Sequence, residues 1–318
     1  MTDLDDALRL DADGIDRRGF LECMTWAGTG LLWSVAAGVP TALTMAKAAY
    51  AAPAETPFSF VQISDSHLGF KKPANTDVVA TLQQAITRVK ALPVKPAFMI
   101  HTGDISHLSH PDEFDAADKL ISEAGLPVFY VPGEHDILDD GKGKAYLDRY
   151  GKGSLGSGWY SFDHLGVHYI ALVNVQSIGE GGLGHIGRDQ LEWLAKDVAG
   201  QSSETPIVVF AHIPLWMVYP AWGWGTQDGA QALETLKRFG SLTVLNGHIH
   251  QVMQKVEGTV SFHTARSTAF AQPAPGEAPT PGPMVVPAGT VRQHLGIALV
   301  NFVRGSEPLA IVDTPLDA

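Results

Sequence analysis

Short apolar runs alternate with longer segments of helical period along most of this chain. Residues 58–63 (Phe-Ser-Phe-Val-Gln-Ile) read as a strand that ends at Ser64-Asp65. From Asp77 to Lys90, the residues Val78, Leu82, Ala85, Ile86 and Val89 fall on one helical face. The run Ala97-Phe98-Met99-Ile100 predicts a strand leading into Gly103-Asp104, and Glu113–Ala124 predicts a helix stopped by Gly125. Residues 127–131 are the next strand. Residues 159–173 alternate and break at Gly166, which suggests a β-hairpin. A helix over 187–199, a strand over 207–210, a helix over 227–239 and a strand over 242–245 follow. Beyond His250 the pattern is mostly β, at 252–257, 259–264, 295–303 and 309–313. Strands and helices in this alternation predict a layered α/β fold in a single domain from about residue 56 to 318. Residues 271–289 contain Pro273, Pro275, Pro279, Pro281, Pro283 and Pro287, so they predict a long surface loop.

The first 52 residues break this pattern. A polar start carrying Arg17-Arg18-Gly19-Phe20-Leu21 precedes an uncharged stretch from Cys23 to Ala46, and small residues follow. A charged start, a moderately apolar middle and a small-residue end make an export signal, and the Arg pair resembles a twin-arginine leader. The expected location is periplasmic or otherwise extracytoplasmic, with no stable membrane insertion after cleavage. The alternative is an uncleaved signal retained as a membrane anchor.

Composition narrows the chemistry. With 22 basic and 34 acidic side chains, the formal charge is −12, and there is no basic stripe. General nucleic-acid binding is therefore disfavoured. The single cysteine, Cys23, excludes an internal disulfide framework and a multi-thiolate metal site. No Gly-x-Ser-x-Gly elbow suggests a covalent nucleophile. The 13 histidines stand out. Five clusters of carboxylate and imidazole lie just past apolar runs: Asp65-Ser66-His67, Gly103-Asp104, Gly133-Glu134-His135-Asp136, Ala211-His212 and Gly247-His248-Ile249-His250. In an open α/β sheet, residues beyond the carboxyl ends of the strands converge on one crevice. Oxygen and nitrogen ligands without sulfur suit Mn, Fe or Zn.

The ordered set resembles the calcineurin-like metallophosphoesterase family, including its cyclic-nucleotide phosphodiesterase and purple-acid-phosphatase-like members. The intervals are 39, 30, 78 and 36 residues from Asp65 through Asp104, Glu134 and His212 to His248. The resemblance covers about 60–310. It implies two β-sheets packed face to face and flanked by helices, a four-layer sandwich. It also implies two divalent or trivalent metal ions. Asp65, His67 and His250 would bind the first, Asp104 would bridge, and Glu134, His212 and His248 would bind the second. His135 would donate a proton to the leaving oxygen or a hydrogen bond to the phosphate, with Asp136 orienting it. The activity implied is hydrolysis of a small phosphate mono- or diester, a nucleotide among the candidates, by metal-activated hydroxide.

Glu134 departs from the family's usual Asn. Glu adds a negative charge and removes an amide donor, which strengthens metal binding and weakens attraction for an anionic ester. This leaves an alternative function, a metal-binding phosphate-ligand protein with little or no turnover. Three further features are open. His107 is either near the metals or a plain loop residue. Arg266 and Arg292 are possible phosphate contacts. The segment Pro214–Trp224 is an aromatic lip on the substrate, a loop folded onto the core, or a dimer contact. Oligomeric state carries no signal.

Overall fold

The computed structural model describes residues 31–36, 39–44, 57–139, 141–303 and 309–317. The chain divides into two units, Met1–Ala54 and Glu55–Ala318. In the first, β1 (Leu31–Ala36) pairs antiparallel with β2 (Val39–Thr44). The Arg17-Arg18 motif and Cys23 lie outside the described residues. No helix among the described residues is long and apolar enough to cross a membrane.

The second unit is built on two sheets. One contains β3 (Phe58–Ile63), β4 (Met99–His101), β5 (Val128–Tyr130), β12 (Gly296–Phe302) and β13 (Ala310–Pro315), in the spatial order β13-β12-β3-β4-β5. The other contains β6 (Tyr160–His164), β7 (Val167–Ala171), β8 (Ile207–Phe210), β9 (Leu242–Asn246), β10 (Gln254–Glu257) and β11 (Val260–Thr264), in the order β10-β11-β9-β8-β7-β6.

Strand alternation sorts the side chains into three cores. Phe60, Ile100, Val300 and Phe302 of the first sheet meet Tyr169, Val208, Phe210 and Leu245 of the second, and all are buried. The opposite faces receive helices. Val61, Ile63 and Met99 pack under α1 (Val78–Lys90) and α2 (Pro111–Ser122) through Leu82, Ile86, Phe114 and Ile121. Ile170, Val209 and Val244 pack under α4 (Arg188–Asp197) and α5 (Gly229–Leu236) through Leu194, Ala232 and Leu236. The result is the expected helix–sheet–sheet–helix sandwich. Burying each such side chain contributes about 1.5–3 kcal/mol.

The helix limits differ from the sequence expectation for local reasons. Helix α2 begins at Pro111 rather than Glu113, because proline is preorganised for the first helical position. Gly125 takes a left-handed conformation (φ 62°) just beyond its end, as expected of a stop. Helix α5 starts at Gly229 and ends at Leu236, inside the expected 227–239. A short helix, α3 (Lys144–Tyr150), was not expected; it lies between Gly143 and Gly151 and is anchored by fully buried Tyr146.

Candidate metal centre

The register of the first sheet sets Ile63, His101 and Tyr130 side by side at the carboxyl ends of parallel β3, β4 and β5. Asp65, Asp104 and Glu134 therefore leave the sheet at adjacent points. In the second sheet Phe210 pairs with Leu245, and His212 and His248 follow those strands. The backbone turns hard to aim these groups. Asp65, His67, Asp104, His248 and His250 all have φ between 41° and 70°. Among the described residues only Ser109 and Leu165 share that conformation without being glycine. Such strain costs about 1–3 kcal/mol per residue and persists where surrounding structure imposes it. Close packing adds a second constraint: a Cβ on Gly133 would collide with Asp104 Oδ1, and one on Gly103 (φ 94°) would lie 2.6 Å from His212 Nδ1.

The seven expected ligands form two overlapping clusters. Asp65, His67 and His250 make one, and Glu134, His212 and His248 make the other, with ligand atoms in each within 4.8 Å of one another. His250 Nε2 lies 3.3 Å from Asp65 Oδ1 and 3.2 Å from His67 Nε2. Glu134 Oε2 lies 2.9 Å from His212 Nε2, and its Oε1 lies 3.0 Å from His248 Nδ1. Asp104 sits between the clusters: its Oδ2 is 3.4 Å from both His67 Nε2 and His212 Nε2. Its other oxygen, Oδ1, accepts a hydrogen bond from the His135 amide at 2.9 Å.

This donor set fits metal ions. His212 Nδ1 donates to the Thr102 carbonyl (2.7 Å) and His250 Nδ1 to the Phe270 carbonyl (2.6 Å). A carbonyl only accepts, so Nδ1 carries the proton and Nε2 presents its lone pair to the site. Glu134 Oε2, His212 Nε2 and His248 Nδ1 are buried atoms without a hydrogen-bond partner. Three such orphans facing one another are costly unless a cation sits among them and accepts their lone pairs.

Burial pushes the Asp65 carboxyl up, but His250 and then His212 outweigh it and hold it at about 2. Burial likewise opposes ionisation of Glu134, yet His248 and His212 keep it well below the ordinary carboxylate value. His212 is pulled down by burial and raised well above its ordinary value by Asp104 and Glu134. Burial holds His67 well below the usual imidazole value, with His135 adding to the effect.

His135 stands beside the first cluster, its ring 4.8 Å from that of His67. Its expected partner is corrected by the structure. The His135 Nδ1 hydrogen bond goes to the His107 carbonyl, at 2.7 Å. The Asp136 carboxylate turns away and accepts from the backbone amides of Ile105, Ser106 and Gly133 and from Ser106 Oγ, at 2.8–3.1 Å. Asp136 is fully buried, and burial together with Asp104 pushes its carboxyl up to about 7. Its role is to tie the Gly103–Ser106 loop to the 3-10 turn Glu134–Ile137, because a helical turn projects residue 136 back across the turn rather than toward its neighbour.

The clusters floor a cavity of about 290 Å³. His107 reaches it, stacked on His135 at 4.8 Å and 15°. Of the aromatic segment, Trp222 and Trp224 line the cavity; Trp224 is 1% exposed and Trp222 half-buried, so the loop is partly lip and partly core. Arg266 and Arg292 are not in its lining. Lys72, Phe270, Gln272 and Pro281–Pro283 are, and none carried a motif. The proline-rich loop was legible as a loop, but nothing in its composition placed it over the centre.

Nitrogen and oxygen donors gathered at the strand ends of this sandwich define a candidate centre for two metal ions. The chain belongs to the calcineurin-like phosphoesterase family, whose pattern matches residues 58–252. It is 28% identical over 227 residues to a probable cyclic nucleotide phosphodiesterase of Synechococcus sp., covering 68% of this chain and 83% of that protein. It is 26% identical over 199 residues to another from Psychrobacter sp., covering 60% of this chain but only 57% of that protein. Among solved structures, a dimetal phosphatase from Danio rerio shares the fold with a TM-score of 0.59 at 14% identity, covering 80% of this chain and 98% of that one. The yellow lupin purple acid phosphatase PPD1 does so at 0.58 and 12% identity, covering 83% and 52%.

Proposed function

We propose that this chain is a two-metal phosphodiesterase acting on small, singly charged phosphodiesters. The observation that carries this reading is Asp104 Oδ2, equidistant at 3.4 Å from one histidine of each cluster. Asp65, His67 and His250 would hold one ion and Glu134, His212 and His248 the other, with Asp104 shared. Two divalent cations there would neutralise phosphoryl oxygens and lower the pKa of a water. The chain's own residues supply the rest. His135, with Nδ1 donating to the His107 carbonyl, carries a proton on Nε2 only as the imidazolium, and in that form would give it to the leaving oxygen. Trp222, Trp224 and Phe270 exclude water from the cavity walls.

Glu134 favours the diester. A carboxylate in place of a neutral amide adds one negative charge to the centre, which repels a dianionic monoester more than a monoanionic diester. The cyclic-nucleotide phosphodiesterase names of several relatives agree with this direction. The Arg17-Arg18 leader supports action outside the cytoplasmic membrane.

Elemental analysis beside assays with bis(p-nitrophenyl) phosphate and p-nitrophenyl phosphate, with Mn supplied, tests the reading. Two bound metals and faster diester cleavage are expected, and Glu134→Asn should shift the ratio toward the monoester. Bound metal with turnover of neither would instead favour the metal-binding protein without catalysis.

A further inference from the structure

Behind Asp65 a series of fully buried polar side chains leads away from the metal centre. Gln62, Thr102, Ser64 and Asp65 have no exposed surface. Gln62 Nε2 donates to Thr102 Oγ1 and to the Asn246 carbonyl, each at 3.1 Å. Thr102 Oγ1 donates to Ser64 Oγ at 2.7 Å; its other acceptor, the Ile63 carbonyl, is 3.5 Å away. The Ser64 hydroxyl hydrogen-bonds the Asp65 carboxylate. The direction of each bond is fixed from the two ends. An amide nitrogen can only donate and a carboxylate can only accept, so both hydroxyls pass their hydrogens toward Asp65. Turning the Gln62 amide over would set its oxygen against the Asn246 carbonyl. Gln62 Oε1 itself has no partner, so Nε2 alone holds the amide in place.

The two oxygens of Asp65 have different surroundings. Oδ1 faces the histidines, 3.3 Å from His250 Nε2 and 4.0 Å from His212 Nε2. Oδ2 lies against Gly247, where a Cβ would be 2.6 Å from it and would collide with Ser64 Oγ. The glycine before His248 thus leaves the space in which hydroxyl and carboxylate meet. The His248 amide donates to both oxygens, at 3.1 and 3.2 Å, and does not distinguish them. The Ser64 hydroxyl does. Hydrogen bonds in series also polarise one another, which strengthens the last of them.

We propose that Gln62, Thr102 and Ser64 are positioning residues for the first metal ion: as a relay of donors they hold Asp65 by Oδ2 and aim Oδ1 at the ion that His67 and His250 would share with it. This rests on the two-metal reading above and assigns the control of one of its two affinities. The Glu134–His212–His248 site lies outside the relay. Thr102 touches that site through its backbone carbonyl, which side-chain variants at 102 leave in place.

The test titrates cobalt(II) into the metal-free whole chain and follows visible absorption and heat. His250→Ala and His248→Ala mark which binding step belongs to which site. Ser64→Ala should weaken the first-site step by about 10–100-fold, the loss usual when the group orienting a metal ligand is removed. The second-site step should stay where it is. Thr102→Val and Gln62→Met should lose less, in the same step. Thr102→Ser keeps the hydroxyl and should bind like the wild type. Adding T102V to S64A should cause no further loss, because the relay is already cut, whereas independent packing defects would add. Thermal melts of the metal-free proteins show which variants are folded, and T102V against T102S decides the matter if S64A is not.

Unchanged first-site affinity in the folded variants, equal losses at both sites, or additive losses in the double variant would each overturn the proposal and leave the two-metal reading standing. A wild type that takes up no cobalt would overturn both.

Discussion

Replacing Asp136 by alanine tests what that buried carboxylate does. In the structure it accepts from three backbone amides, Gly133, Ile105 and Ser106, and from Ser106 Oγ. The hydroxyl has a second acceptor in the His135 carbonyl at 3.3 Å, so it is not stranded by the change. The three amides cannot reorient. A stranded buried donor costs about 1–3 kcal/mol, and a water entering the vacated space would meet one or two of the three, leaving one or two stranded, so the net loss is about 1–6 kcal/mol. In a domain of this size the middle of that range lowers the melting temperature by about 10 °C. Both loops tied by Asp136 carry proposed ligands, so turnover should fall to a similar extent for good and poor leaving groups. Thermal melts of metal-loaded protein and kcat for p-nitrophenyl and phenyl diesters check this. D136A melting with the wild type, while losing activity only on the phenyl ester, would refute the reasoning and restore Asp136 as the group that orients His135.

Asp104→Asn should release metal and abolish turnover, since one of the two oxygens facing His67 or His135 becomes an amide; retained metal and activity in the purified variant would dismiss Asp104 as the shared ligand. His135→Ala should leave metal content intact and slow esters with poor leaving groups most, which a leaving-group series reads directly. Far from the metal centre, His168 lies between Asp163 (Nδ1–Oδ1, 2.8 Å) and Asp197 (Nε2–Oδ2, 2.9 Å). Burial lowers its pKa, but Asp197 and Asp163 outweigh that and raise it above 6.5. A raised histidine stabilises the fold fully below its unfolded value and loses that contribution as pH rises through the folded one. Denaturant midpoints should therefore fall with rising pH across that window, and His168→Asn should flatten the slope; an unchanged slope in the variant would exclude this pair of contacts as its source.

The strands and most helices were readable because their causes are local. Residues 58–63 and 207–210 are apolar runs closed by turn residues, and the structure begins and ends those strands at the same positions. The candidate ligands were readable for a related reason: each follows a strand end, and a parallel sheet brings such ends together whatever the length of chain between them. Helix α3 escaped notice because seven residues between two glycines hold too few periods to show. Asp136 was misassigned because adjacency in sequence says little about where a 3-10 turn points its side chains.

From the amino acids alone came the layered fold, the order of the carboxylates and imidazoles, and the absence of sulfur chemistry. Folding in three dimensions decided which of those groups touch, which carbonyl sets each histidine tautomer, and which unmarked residues wall the cavity. His67 and His250 are 183 positions apart yet 3.2 Å apart in space. Gln272 meets the centre only because the loop after β11 folds back over His248. Periodicity reports a residue's relation to neighbours a few positions away. Contacts between distant segments depend on sheet register and loop packing, which no short window of sequence contains.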